Sequence, residues 1–273
     1  MHTASWEIAF ENLSLGYGER TILRDITATL PAGKISVILG GSGCGKSTLL
    51  KNIIGLHRPQ QGKIWVGGKD LFDLPRAEYR RMRRHMGVLF QDGALLGALT
   101  LAQNVALPLS EHTSLPKEVI RKAAFDTLAQ VGLREFGDYY PNELSGGMRK
   151  RAGLARAIIA SPSILLCDEP TSGLDPITAA KMDNLLLSMK AHFADMTTVV
   201  VSHDMQSVKK IADYVLVLRD GQAVFAGSYQ SLATSNDPYL QQFLHRTVED
   251  EEQRRHEEQD PRVHAAIQDW LAS

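Results

Sequence analysis

The chain has 273 residues, 44% of them hydrophobic, enough for a full core in one large domain or two small ones. Thirty basic against 31 acidic side chains leave a formal net charge of −1, which excludes bulk electrostatic attraction to nucleic acid or to an anionic membrane. No basic segment followed by an apolar one opens the chain, and no apolar run approaches the roughly 18 residues of a spanning helix, so a soluble protein without a secretory signal is expected.

Apolar and polar residues alternate over Trp6 to Leu15 and again over Gly62 to Gly68, which predicts antiparallel strands with one solvated face. Between them the apolar run Ile35 to Leu39 leads into Gly40-Gly41-Ser42-Gly43-Cys44-Gly45-Lys46-Ser47-Thr48 and then into Leu49 to Ile54. Gly40, Gly45, Lys46 and Ser47 fit G-x-x-x-x-G-K-[ST] in the strand, loop, helix order that this phosphate-binding motif requires. Glycines let successive N–H groups turn toward one anion, and the helix adds its positive N-terminal end. Lys46 is placed for the β- and γ-phosphates of a nucleoside triphosphate and Ser47 for Mg²⁺; the plain alternative is a glycine-rich turn with no ligand. Cys44 and Cys167 lack metal-ligand spacing and read as packing residues in a reducing cytosol.

Leu99 to Ser161 reads as helix-rich, with helical spacing over Lys117 to Val131 and again over Ala152 to Ala160. Ser163 to Glu169 and Thr197 to His203 are continuous apolar runs with polar ends, as expected of buried parallel strands whose carboxyl ends meet a ligand. The expected fold is a nucleotide-binding α/β core interrupted by a helical insert. Asp168 is placed to hold Mg²⁺ through water, and Glu169 to orient or deprotonate an attacking water. His203 is a candidate either to contact the γ-phosphate or to hold that water. Taken alone, Asp168-Glu169 could be a solvated strand end and His203 a structural histidine.

Leu144-Ser145-Gly146-Gly147-Met148-Arg149-Lys150-Arg151, just before the Asp168-Glu169 strand, resembles the signature motif of the ATP-binding cassette ATPases. Other marks of that family follow in order: Tyr17 looks like the aromatic that stacks on adenine, Gln91 like the glutamine of the Q-loop, Ser172-Gly173-Leu174-Asp175 like the D-loop, and His203 like the switch histidine. The resemblance covers roughly Trp6 to Leu244. It implies an α/β P-loop NTPase (RecA-like) core with an antiparallel β subdomain and a helical insert, and ATP and Mg²⁺ as ligands. It also implies that Gln91 joins Ser47 and Asp168 at the metal. Ser145, Gly146 and Gly147, with a helix beginning near Met148, would bind the γ-phosphate held by a second copy, giving a homodimer with two equivalent sites.

Met148, where glutamine is usual, together with Val88 to Leu95, Asn104 to Thr113 and Asp175-Pro176-Ile177-Thr178, is similar to the ATPases of MCE-type lipid transporters, the Mla phospholipid-trafficking group. That likeness implies an integral-membrane permease, an MCE-domain periplasmic protein and a STAS-domain accessory protein as partners, no nucleic acid, and a peripheral place on the cytoplasmic face of the inner membrane. An importer ATPase for polar solutes is the alternative. The cassette ATPases of DNA repair or translation have long coiled coils or paired cassettes, which this chain lacks. Ala94, Leu95, Leu96, Leu99, Leu101, Val105 and Leu107 either cover the insert's own core or form a groove for a permease helix. The ATPase domain is expected over 1–244, with the insert at about 99–161. Residues 245–273 read as a charged extension in which Val263, Ala266, Ile267, Trp270 and Leu271 form a short amphipathic helix, docked or solvated.

Overall fold

The computed structural model describes residues 5–41 and 43–245. The chain divides into two compact units, Met1–Leu232 and Ala233–Ser273. The expected amphipathic helix after Pro261 lies outside the described residues.

The first unit opens with Ile8–Tyr17 (β1) and Arg20–Leu30 (β2), antiparallel neighbours. Asn12, at a positive φ of 46°, sits in a register shift between Phe10 and Leu13 that keeps Phe10, Leu13 and Leu15 all on the buried face. Ile35–Gly40 (β3) is buried at every position and runs into Lys46–Ile53 (α1). Gly45 makes that turn possible: its φ is 103°, and a Cβ there would stand 2.7 Å from a methyl of Leu23. Gln61–Val66 (β4) and Lys69–Asp70 (β5) complete a four-stranded antiparallel sheet in the order β2-β1-β4-β5. Arg76–Arg84 (α2) then leads to Met86–Leu89 (β6).

The helix-rich middle is Leu101–His112 (α3), Lys117–Gln130 (α4) and Gly146–Ile158 (α5). Thr100 and Gln103 form a reciprocal capping box at the start of α3, satisfying two amides that the first turn leaves without partners. Ile164–Asp168 (β7), Pro176–His192 (α6), Thr197–Ser202 (β8), Met205–Ile211 (α7), Tyr214–Arg219 (β9) and Gln222–Ser228 (β10) follow. Tyr229–Ala233 (α8) comes next; in the second unit Pro238–His245 (α9) starts on Asp237, whose carboxylate accepts from the amides of Tyr239 and Leu240.

The larger sheet has the order β10-β9-β3-β8-β7-β6, with β9, β3, β8, β7 and β6 parallel. Strands β3 and β8 have parallel neighbours on both sides, which explains why they read as unbroken apolar runs rather than alternating ones. Strand β8, late in the chain, is inserted between β3 and β7, so the segments that follow β3, β6, β7 and β8 all emerge at one edge of the sheet.

Candidate nucleotide site

At that edge lies a cavity of about 510 Å³ lined by Ile22, Gly43, Gly45, Lys46, Ser47, Thr48, Gln91, Glu169, Ser172 and His203. The loop after β3 supplies Gly43 and Gly45, the first turn of α1 supplies Lys46, Ser47 and Thr48, the segment after β6 supplies Gln91, the turn after β7 supplies Glu169 and Ser172, and the turn after β8 supplies His203. Ile22, on β2, was not singled out from the sequence, because only the packing of the antiparallel sheet brings it to the rim.

Lys46 is buried and donates from Nζ to the carbonyls of Gly40 at 2.9 Å and Gly41 at 2.8 Å. The ammonium is thereby held over the loop while α1 presents a first turn with no acidic side chain, an arrangement that favours an anion at its amides. Cys44 is half-buried, and its backbone amide reaches the Gly41 carbonyl at 3.4 Å. Burial pushes its thiol pKa up, as it does for the fully buried Cys167, so both stay protonated and inert. Ser42 lies outside the described residues.

Ser47 Oγ donates to Asp168 Oδ1 at 3.2 Å, across 121 positions of sequence. Partial burial raises the pKa of Asp168; the Ser47 hydrogen bond opposes that shift and the Glu169 charge adds to it. No cluster of three His, Cys, Asp or Glu side chains able to hold a metal occurs among the described residues. Two hard oxygens side by side suit Mg²⁺, which keeps several waters and takes few protein ligands beside substrate phosphates.

Glu169 stands one residue beyond β7 at a φ of 49°, a left-handed conformation that non-glycine residues seldom adopt. Its amide donates to the Val201 carbonyl at 3.0 Å, and its carboxylate oxygens lie 3.0 and 2.8 Å from His203 Nδ1. A carboxylate only accepts, so the imidazole Nδ1–H donates.

Ser145 is the N-cap of α5, its Oγ accepting from the Met148 amide at 3.3 Å. The helix therefore begins at Gly146, two residues before the expected start near Met148, because a serine in extended conformation is the better cap. Ser145 and Gly146 are exposed and do not line the cavity. Tyr17, at the end of β1, is 44% exposed with its ring edge-on to His57 at 5.3 Å, and is likewise not among the lining residues.

Burial is uneven along the segment after Gln91. Leu101 and Val105 are fully buried, whereas Leu96 is 52% exposed. Asn104, fully buried, shapes this segment: its Nδ2 donates to the carbonyls of Leu96, Leu99 and Thr100, each at 3.0 Å, and its Oδ1 accepts from the Leu96 amide at 2.7 Å. Nothing in the local pattern singles out this asparagine. Gly93, at φ 77°, packs so closely on α5 that a Cβ on Gly153 would lie 2.9 Å from its Cα.

The family model described as ABC transporter matches residues 23–172, more than half of the chain. The chain belongs to the ABC transporter family. Its fold is the ABC ATPase cassette. One solved cassette, the dimeric post-hydrolysis state of MJ0796 bound to ADP and Pi, is 31% identical and superposes with a TM-score of 0.72 over 81% of this chain and 98% of that one. Among curated relatives, the probable ribonucleotide transport ATP-binding protein mkl of Mycobacterium tuberculosis is 43% identical over 237 residues, 87% of this chain. The match spans 66% of that relative's length. The intermembrane phospholipid transport system ATP-binding protein MlaF of Escherichia coli is 40% identical over 87% of this cassette chain and 88% of its own. No helix among the described residues is long and apolar enough to cross a membrane.

Proposed function

We propose that the chain is the ATP-hydrolysing subunit of a membrane transporter that moves phospholipids between bacterial membranes. The observation that carries the reading is the convergence of Lys46, Ser47, Gln91, Glu169 and His203 on one cavity, with Asp168 bonded to Ser47. Its volume falls within the roughly 300–1,000 Å³ range of small-molecule sites.

In this reading the backbone from Gly40 through Thr48, with Gly41, Ser42, Gly43, Cys44 and Gly45 between, cradles the phosphates, and Lys46 neutralises part of their charge. Tyr17 stacks on adenine. Ser47, Asp168 and Gln91 would hold Mg²⁺, which would supply positive charge to offset that of the phosphates. Glu169 takes the proton of the attacking water, and His203 keeps the carboxylate in place with Nδ1 while Nε2 is left for the γ-phosphate. Ser145, Gly146 and Gly147 of a second copy close over the nucleotide; the exposure of Ser145 and Gly146 at an open helix start supports this role.

The domain reading that accompanies it is an ATPase domain over 1–244 and an extension over 245–273 that contacts other subunits. Assembly with an integral-membrane permease, an MCE-domain protein and a STAS-domain protein places the chain peripherally on the cytoplasmic face of the inner membrane. The likeness to MlaF favours phospholipid cargo; the name of the mycobacterial relative favours a polar solute, the second reading. Isolating the native complex and identifying its copurified molecules by mass spectrometry separates the two. Phospholipid together with an MCE-domain protein supports the first. A ribonucleotide-like solute with a solute-binding protein overturns it in favour of the second.

A further inference from the structure

Lys150 is 5% exposed, in the middle of α5, and its ammonium does not end on a carboxylate. Nζ donates to the main-chain carbonyl of Glu169 at 2.9 Å and to that of Ser172 at 2.6 Å. Asp92, Glu169 and Asp168 act on its charge through space. An apolar side chain of similar length would fill this space without the penalty of removing an ammonium from water. What a methionine could not do is bridge two carbonyls on either side of Pro170-Thr171.

The turn so bridged needs an anchor. Glu169 has a φ of 49° and precedes Pro170, and a residue before proline is pushed toward extended conformations. Such a conformation persists only where its surroundings over-determine it. Here the Glu169 amide is held by Val201, and its carbonyl takes both the Ser172 amide at 3.2 Å and Lys150 Nζ. Without Lys150 the peptide after Glu169 loses its one side-chain anchor from α5, and the carboxylate loses the fixed backbone from which it reaches the cavity.

We propose that Lys150 is a positioning residue for Glu169, holding the Glu169–Ser172 turn in the conformation that aims the carboxylate into the cavity and tying that turn to the helix that Ser145 caps. The inference rests on the reading of Glu169 as the base for ATP hydrolysis. A small displacement of such a group lowers the chemical step far more than it lowers binding.

Steady-state ATP hydrolysis by the full chain in its purified transporter complex tests it, with Lys150→Met, Lys150→Arg and Glu169→Gln made singly and Lys150→Met combined with Glu169→Gln. Lys150→Met should lower kcat by about 10- to 100-fold with KM for ATP within about twofold, and Lys150→Arg, which keeps the donors, should recover part of the rate. In the Glu169→Gln background, Lys150→Met should change the residual rate by less than about twofold, because the group it positions is already gone. If Lys150→Met turns over like wild type, or lowers the rate by the same factor with and without Glu169, the positioning role is wrong. Should Lys150→Met fail to fold, Lys150→Gln carries the same comparison. Lys46→Ala is the control: wild-type hydrolysis in that variant would overturn the nucleotide reading itself rather than the role of Lys150.

Discussion

His203 Nδ1 lies 2.8 Å from Glu169 Oε2, joining the turns that follow β8 and β7. The Glu169 side chain is 14% exposed and that of His203 63%, so the histidine forms the outer, solvent-facing member of the pair. A carboxylate held this way has one defined orientation from which to accept a proton.

Glu169→Gln keeps the size and an oxygen that can accept from His203 but removes the base. ATP hydrolysis should fall by about 10²- to 10⁴-fold, the usual contribution of a positioned general base, with ATP binding retained. Single-turnover hydrolysis and nucleotide affinity, measured on the same preparation, check this. A normal rate would move the role of base to His203.

Asp168 provides a pH-dependent test. A carboxyl whose pKa is raised in the fold contributes stability that is fully present below its unfolded value, near 3.8, and is lost as pH rises through the raised value. At neutral pH the ionised group is therefore a net cost to the ligand-free chain. Asp168→Asn should therefore raise the melting temperature of the ligand-free chain at pH 7. The gain should shrink as pH falls toward 4. The same variant should lose the extra stabilisation by Mg²⁺ and ATP, and thermal melts across pH with and without the nucleotide read both effects.

Asn104→Ala deprives three carbonyls and one amide of the 94–100 segment of their shared partner. The carbonyls of Leu96 and Thr100 keep the backbone amides of Leu99 and residue 104, so the groups left without a partner are the Leu96 amide and the Leu99 carbonyl. Such buried groups cost about 1–3 kcal/mol each, so urea denaturation should show a loss of about 2–3 kcal/mol after partial rescue by water. Because Leu96 is exposed on this segment, recovery of the transporter complex should fall further than the stability loss accounts for. Retention of both complex yield and stability would show that the segment holds its shape without Asn104.

Deleting the residues after Asp260 removes Val263, Ile267, Trp270 and Leu271, outside the described residues. Every residue of the nucleotide site precedes Asp213, so ATP binding to the shortened chain should be unaltered while complex recovery drops. Affinity capture of the complex with quantified subunit ratios reads the outcome; full recovery would make the extension a solvated appendage.

Much of this protein is local and was therefore legible in one dimension. The phosphate loop is nine contiguous residues whose glycines, lysine and serine act on one anion, and the unbroken apolar runs of β3, β7 and β8 follow from burial on both faces. His203 stands out at the end of an apolar run, whereas the Ser145 to Arg151 stretch and Gln91 are legible only through the resemblance to the ATP-binding cassette ATPases. Which side chains meet was a different matter, because it depends on strand order: β8 enters between β3 and β7, so Ser47 reaches Asp168 and His203 reaches Glu169 across sequence separations of 121 and 34. The same holds for Lys150, Asn104 and Ile22. Their roles come from the carbonyls, loop and cavity that packing places beside them, and no periodicity in the chain encodes a hydrogen bond from a helix to the backbone of a distant turn.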